Sequence, residues 1–127
     1  MTTRSKTVFT VDEANRTLPL VRSIVGDVAE RWGELVKVRE EYGNSSPEHD
    51  RIMRELAECI QELKVIGCHL KDFENGLVDF PAVIEGREVA LSWKLGEEAV
   101  THMIIGEGET ADRVPLPGGS PRGPSAN

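Results

Sequence analysis

Residues 67–105 read GCHLKDFENGLVDFPAVIEGREVALSWKLGEEAVTHMII, and the spacing of their apolar side chains decides the fold. Within them Val89, Leu91, Trp93 and Leu95 take every second place while Glu88, Ser92 and Lys94 take the others, the pattern of a half-buried strand. A two-residue turn at Glu85-Gly86 sets Ala82 against Val89, Phe80 against Leu91 and Val78 against Trp93, so the large side chains gather on one face. An even-length turn at Gly96, Glu97 and Glu98 then predicts a third strand, with Val100, His102 and Ile104 on the face of Leu91 and Trp93. Residues 68–72 add a short fourth strand, with Leu70 beside Phe80. Pro81 has no backbone donor and therefore calls for an edge or a bulge. The opposite face collects Asp79, Pro81, Val83, Ala90, Ser92, Lys94, Met103 and Ile105, too apolar for a wholly wet surface, which predicts that something covers it.

Upstream the period changes from 2 to 3.6. Thr10 and Glu13 form a capping box, and Ala14, Leu18, Val21, Val25, Val28, Trp32 and Leu35 follow on one helical stripe. Pro19 lies inside that pattern, so the helix either kinks near Asn15, the expected outcome, or restarts with Pro19 in its first turn. The turn formers of residues 42–47 end the helix; Ser46 then caps a second one beginning at Pro47, with Ile52, Leu56, Cys59, Leu63 and Ile66 as its stripe and Gly67 as its stop. Two amphipathic helices joined by a short loop form an antiparallel, coiled-coil-like hairpin. The fold class expected is therefore α+β: a long antiparallel helical hairpin packed on a small antiparallel β-meander of three to four strands. One domain spans residues 8–116, and a disordered Gly-, Pro- and Ser-rich tail occupies 117–127. Residues 1–7 read as a mobile end.

Composition narrows the function classes. A net charge of −7 with no basic run disfavours nucleic-acid binding. No apolar run has the length of a membrane span, and two cysteines, Cys59 and Cys68, outside any CxxC spacing fit a reducing, cytoplasmic setting. Phosphate-loop, GxSxG and HExxH motifs are absent from the sequence. The residues left to carry chemistry are single ones. His102, placed by parity beside Trp93, is expected to be a hydrogen-bonded core histidine; the alternative is a metal ligand or catalytic group. Cys68 and His69 are neighbours on a strand and point to opposite faces, so they do not chelate one ion. Asp72, Asp79 and Glu97 lie in or beside turns, where carboxylates bind local N–H groups. Converged with His102, they would suit a divalent metal or acid–base work, as in a hydrolase.

The stretches FTVDEANRTLPLV (9–21) and LKDFENGLVDFPAVIEGREVALSWKLGE (70–97) resemble a bacterial family called domain of unknown function 2203, over residues 9–116. The resemblance implies no particular reaction. Its members carry a cysteine before the central tryptophan and a Trp-His pair on the next strand, where this chain has Ser92 and Thr101-His102; a thiol role does not carry over. Gly108 and Arg113 match a Gly-Phe turn and a following arginine, with one residue more between them. The exposed length of the helices, the semi-apolar second face of the sheet and the lack of a catalytic constellation in the sequence lead to the expectation of an assembly or protein–protein interaction module, self-associating as a homodimer or meeting an unknown protein partner. The alternative is a metal- or small-molecule-binding protein with its site around His102.

Overall fold

The first free N–H groups of a helix need acceptors, and Thr10 supplies one. In the computed structural model, which describes residues 8–106 and 111–117, the Thr10 hydroxyl accepts the Glu13 N–H at 3.0 Å and the Glu13 carboxylate accepts the Thr10 N–H at 2.9 Å. From this box α1 runs over Val11–Tyr42, about 48 Å long at 1.5 Å per residue. It passes through Pro19 without restarting. Ser46 caps α2 (Pro47–Ile66), and Gly67 closes it at φ 112° in the left-handed region, where a side chain would be strained.

Five strands follow as an antiparallel meander in chain order: β1 (His69–Asp72), β2 (Leu77–Ile84), β3 (Arg87–Lys94), β4 (His102–Ile105) and β5 (Asp112–Pro115). The fold is α+β as the sequence predicts, with one strand more than expected. The β2–β3 register is the predicted one, with Phe80 opposite Leu91 and Val78 opposite Trp93. Its turn has positive φ at both Glu85 (53°) and Gly86 (80°), as a tight right-twisting hairpin requires. Pro81 sits where β1 has already ended. Its carbonyl accepts the Phe9 N–H at 2.7 Å, so its missing donor points to that same open edge and costs the ladder nothing.

Two expected registers are corrected. Leu70 pairs with Val78 rather than Phe80, because the chain bulges between Leu70 and Asp72. In β4 the pairs are Leu91–Met103 and Ser92–His102, one residue out of step with an even-length turn. Met103 therefore faces the core, and His102 and Ile104 face outward. The cause is a longer connection anchored to α1. Arg22 donates to the Glu98 carbonyl at 2.9 Å, Asn15 holds Val100 through its N–H (2.8 Å) and carbonyl (3.4 Å), and the Trp93 indole N–H donates to the Glu97 carbonyl at 2.9 Å. Val100 is thereby buried, as expected, without belonging to the ladder.

The core lies between the sheet and the first half of the hairpin, joining Ala14, Leu18, Val21 and Val25 to Val78, Phe80, Leu91 and Trp93. A second cluster of Val28, Leu35, Ile52 and Leu56 fills the distal hairpin. Trp32, expected in the seam, is only half-buried. It leans on Phe73 with ring centroids 5.4 Å apart, and the Arg39 guanidinium lies 5.9 Å from it. No helix among the described residues is long and apolar enough to cross a membrane. The predicted mobile start (1–7) and all of the predicted tail after Pro117 lie outside the described residues, as does Gly108.

Candidate functional site

Cross-strand pairing sets four polar side chains in one row across the outward face of the sheet. His69 on β1 stands opposite Asp79 on β2, Asp79 opposite Ser92 on β3, and Ser92 opposite His102 on β4. Side chains directly opposite in an antiparallel pair lie about 5 Å apart at Cβ, so each member of the row neighbours the next. Arg113 on β5 reaches across β4 to close the row from above. Its Nε donates to the Ser92 hydroxyl at 2.8 Å, and its Nη2 donates to the Ser92 carbonyl at 3.4 Å and to the Glu97 carboxylate. Ser92 is fully buried for this reason, although the hairpin lies on the other side of the sheet.

The carboxylates respond in opposite ways. Burial works against the Glu97 carboxylate, yet the hydrogen bonds from Arg113 and the Lys94 N–H, with the charges of Arg113 and His102, bring its pKa below the ordinary value. Asp79 is pushed upward: burial outweighs the pull of Lys71, whose Nζ is 4.0 Å away, and of His69 and Arg113. The cluster is therefore largely neutralised from within, Arg113 by Glu97 and Lys71 by Asp79.

Of the residues singled out from the sequence, Asp79, Glu97 and His102 do meet on this face. His102 is half-buried and directed outward, away from Trp93, with Nδ1 2.9 Å from the Thr101 hydroxyl. Asp72 stands apart. It closes the β1–β2 turn by accepting the Glu74 and Asn75 N–H groups and the Asn75 side chain, which hold its pKa low, the Asn75 bonds most of all. Cys68 is buried while His69 is exposed, the opposite facing expected of strand neighbours; burial pushes the Cys68 thiol up to about 11. Among the described residues no three His, Cys, Asp or Glu side chains gather to hold a metal ion. Ser92 and Arg113 were not among the sequence candidates. Ser92 is signalled only by being a small polar residue in a strand, and Arg113 sits in a Gly- and Pro-rich stretch with no alternation to reveal β5. Yet these are positions that the family resemblance marks, and here they are hydrogen-bonded to each other.

Beyond the row, the outward face turns apolar. Pro81, Ala90 and Ile104 are half-buried and Val83 is 45% exposed. An open groove of about 540 Å³ runs beside them, lined by Arg87, Val89, Ala90, Ile104 and Ile105 among others.

The described residues make a small α+β protein, a helical hairpin on an antiparallel meander whose outward face is half polar and half apolar. The chain belongs to the family described as uncharacterized conserved protein (DUF2203), whose model matches residues 7–116. No curated protein and no solved structure matches it.

Proposed function

We propose that the protein is an assembly module that pairs with a second copy of itself through the outward face of its sheet. The observation that carries this reading is the apolar half of that face, where Pro81, Val83, Ala90 and Ile104 stand together, Val83 is 45% exposed, and Ala90 and Ile104 line the 540 Å³ groove. The polar half supports the reading as well, because its ions are already paired within one chain and leave little for catalysis to use. A cytoplasmic setting is supported by the free thiols Cys59 and Cys68.

Light scattering on the purified chain at roughly 100 μM tests the reading. Twice the chain mass is expected, and one chain mass from Ile104→Lys with an unchanged circular dichroism spectrum. A wild type that stays monomeric at that concentration removes the proposal. A second reading, a site for a small polar ligand around His102, is favoured by the His69–Asp79–Ser92–His102 row. Elemental analysis tests its metal-bound form: near-stoichiometric zinc, manganese or iron in the wild type and none in His102→Gln would support it.

A further inference from the structure

A pocket of about 240 Å³ opens between α2 and β1, lined by Ile60, Lys64, Cys68, His69, Leu70 and Phe73. Cys68 and Leu70 face the core while His69 faces outward, so a pocket that meets all three lies at the edge of β1 rather than on either face of the sheet. β1 ends the sheet, and among the described residues no strand lies beyond it. The ladder fixes what that edge offers. The residues flanking a two-residue turn, Ile84 and Arg87, exchange both backbone bonds, so Ala82, Phe80 and Val78 bond to β3 while Pro81 and Asp79 bond the other way. The Pro81 carbonyl, which accepts the Phe9 N–H, obeys this alternation. Asp79 is therefore bonded to His69, and the Leu70 N–H, one residue on, points off the free edge where the pocket lies.

Between apolar walls of Ile60, Leu70 and Phe73 the pocket thus carries three donors, the Lys64 ammonium, the His69 ring and the Leu70 N–H, and no carboxylate lines it. Asp79, the acid across from His69, is held by Lys71 at 4.0 Å. Among the described residues the side chains of Lys64 and His69 have no ion pair or hydrogen bond of their own. A cavity of roughly 150 Å³ takes a benzene molecule, so 240 Å³ has room for an aromatic ring and one short polar arm. We propose that this pocket binds a small aromatic monocarboxylate, its ring against Ile60 and Phe73 and its carboxylate on the Lys64 ammonium and the Leu70 N–H. The groove of the outward face lies beside β3 and β4, so the proposal does not rest on self-association there.

The probe is phenylacetate, titrated into the full chain labelled with nitrogen-15 and followed by amide chemical shifts. Saturable shifts are expected at His69, Leu70 and Phe73, with a dissociation constant at or below about 1 mM. Phenylacetamide keeps the ring without the charge, and acetate keeps the charge without the ring; each should bind at least about tenfold more weakly. Lys64→Gln with His69→Gln, at two exposed positions, should weaken phenylacetate at least about tenfold and leave phenylacetamide unchanged. Shifts that remain linear up to about 10 mM, or that fall on residues away from the pocket, would overturn the proposal. Equal binding by phenylacetamide would mean that the donors do not read the carboxylate, and equal binding of phenylacetate by the double variant would mean that Lys64 and His69 do not hold it; either result overturns the proposal as well.

Discussion

Gly76 lies tight against both the helical half and the end of the sheet, and replacing it measures how they dock. A Cβ built there would lie 2.8 Å from the Leu95 Cβ and 2.8 Å from a Val25 methyl, distances at which something must move. Neither neighbour is the far end of a flexible chain: one is a β-carbon anchored at the end of β3 and the other a β-branched methyl in α1. Gly76 also has φ 69°, where any other residue carries a backbone cost of about 1–2 kcal/mol. The steric term adds roughly 1–3 kcal/mol for overpacking. Stiffening of the unfolded chain returns about 0.4–1 kcal/mol, so Gly76→Ala should lose about 2–4 kcal/mol. Gly86→Ala is the control. Its φ is 80° and nothing lies within 4 Å of its Cβ, so it bears the backbone cost alone. Urea denaturation of both variants, read by tryptophan fluorescence, should find the first about 1–3 kcal/mol less stable than the second. Equal losses would mean that the β1–β2 turn does not press on α1 and Leu95, and the docking of sheet on hairpin described above would be wrong.

Trp32→Ala should cost roughly 2–3 kcal/mol, less than the 3–5 of a fully buried aromatic, because Trp32 packs on Phe73 from a half-exposed position; denaturation of the single and Phe73→Ala double variants should show losses that do not add. Asn15→Ala should cost about 1–3 kcal/mol, since it leaves the Val100 N–H without an acceptor in a buried place, and amide hydrogen exchange at Val100 should accelerate with it. Glu97 has a lowered folded pKa, so the stability it confers is present above its unfolded value of 4.5 and is lost as pH falls through the lower folded value; Glu97→Gln should flatten the loss of stability in acid denaturation below that pH. Asp79 has the opposite sign. Its raised folded pKa makes the fold lose stability as pH rises above 3.8, and Asp79→Asn should remove that fall in a denaturation series from pH 3 to 7.

The parts of the fold that were legible in the sequence are those fixed by neighbours in the chain. The capping box at Thr10, the Ser46-Pro47 start, the Gly67 stop and the Glu85-Gly86 turn depend on residues three or four places apart, and each stands where the pattern put it. Parity failed at β4 because the length of the Leu95–Thr101 connection is set by Arg22 and Asn15, side chains on α1 that no local pattern reveals. One residue of slip was enough to move His102 from the core to the outward face. It also moved it into the company of Asp79 and Glu97. Only the family resemblance marks Arg113, because β5 is four residues long and two of them, Asp112 and Pro115, are exposed, so no alternation points to it.

The clasp between Asn15 and Val100 joins residues 85 places apart. Closing so long a loop carries an entropic cost that no local contact offsets, so it belongs to the last steps of folding. During synthesis the helical hairpin is complete when only the first half of the chain has emerged, and the stripe from Ala14 to Val25 must then wait, unsheltered, for the meander that will bury it. A chain stopped after Gly67 should therefore aggregate or be degraded rather than persist as a free hairpin, and the yield of the whole protein in cells should fall most with substitutions that slow the sheet.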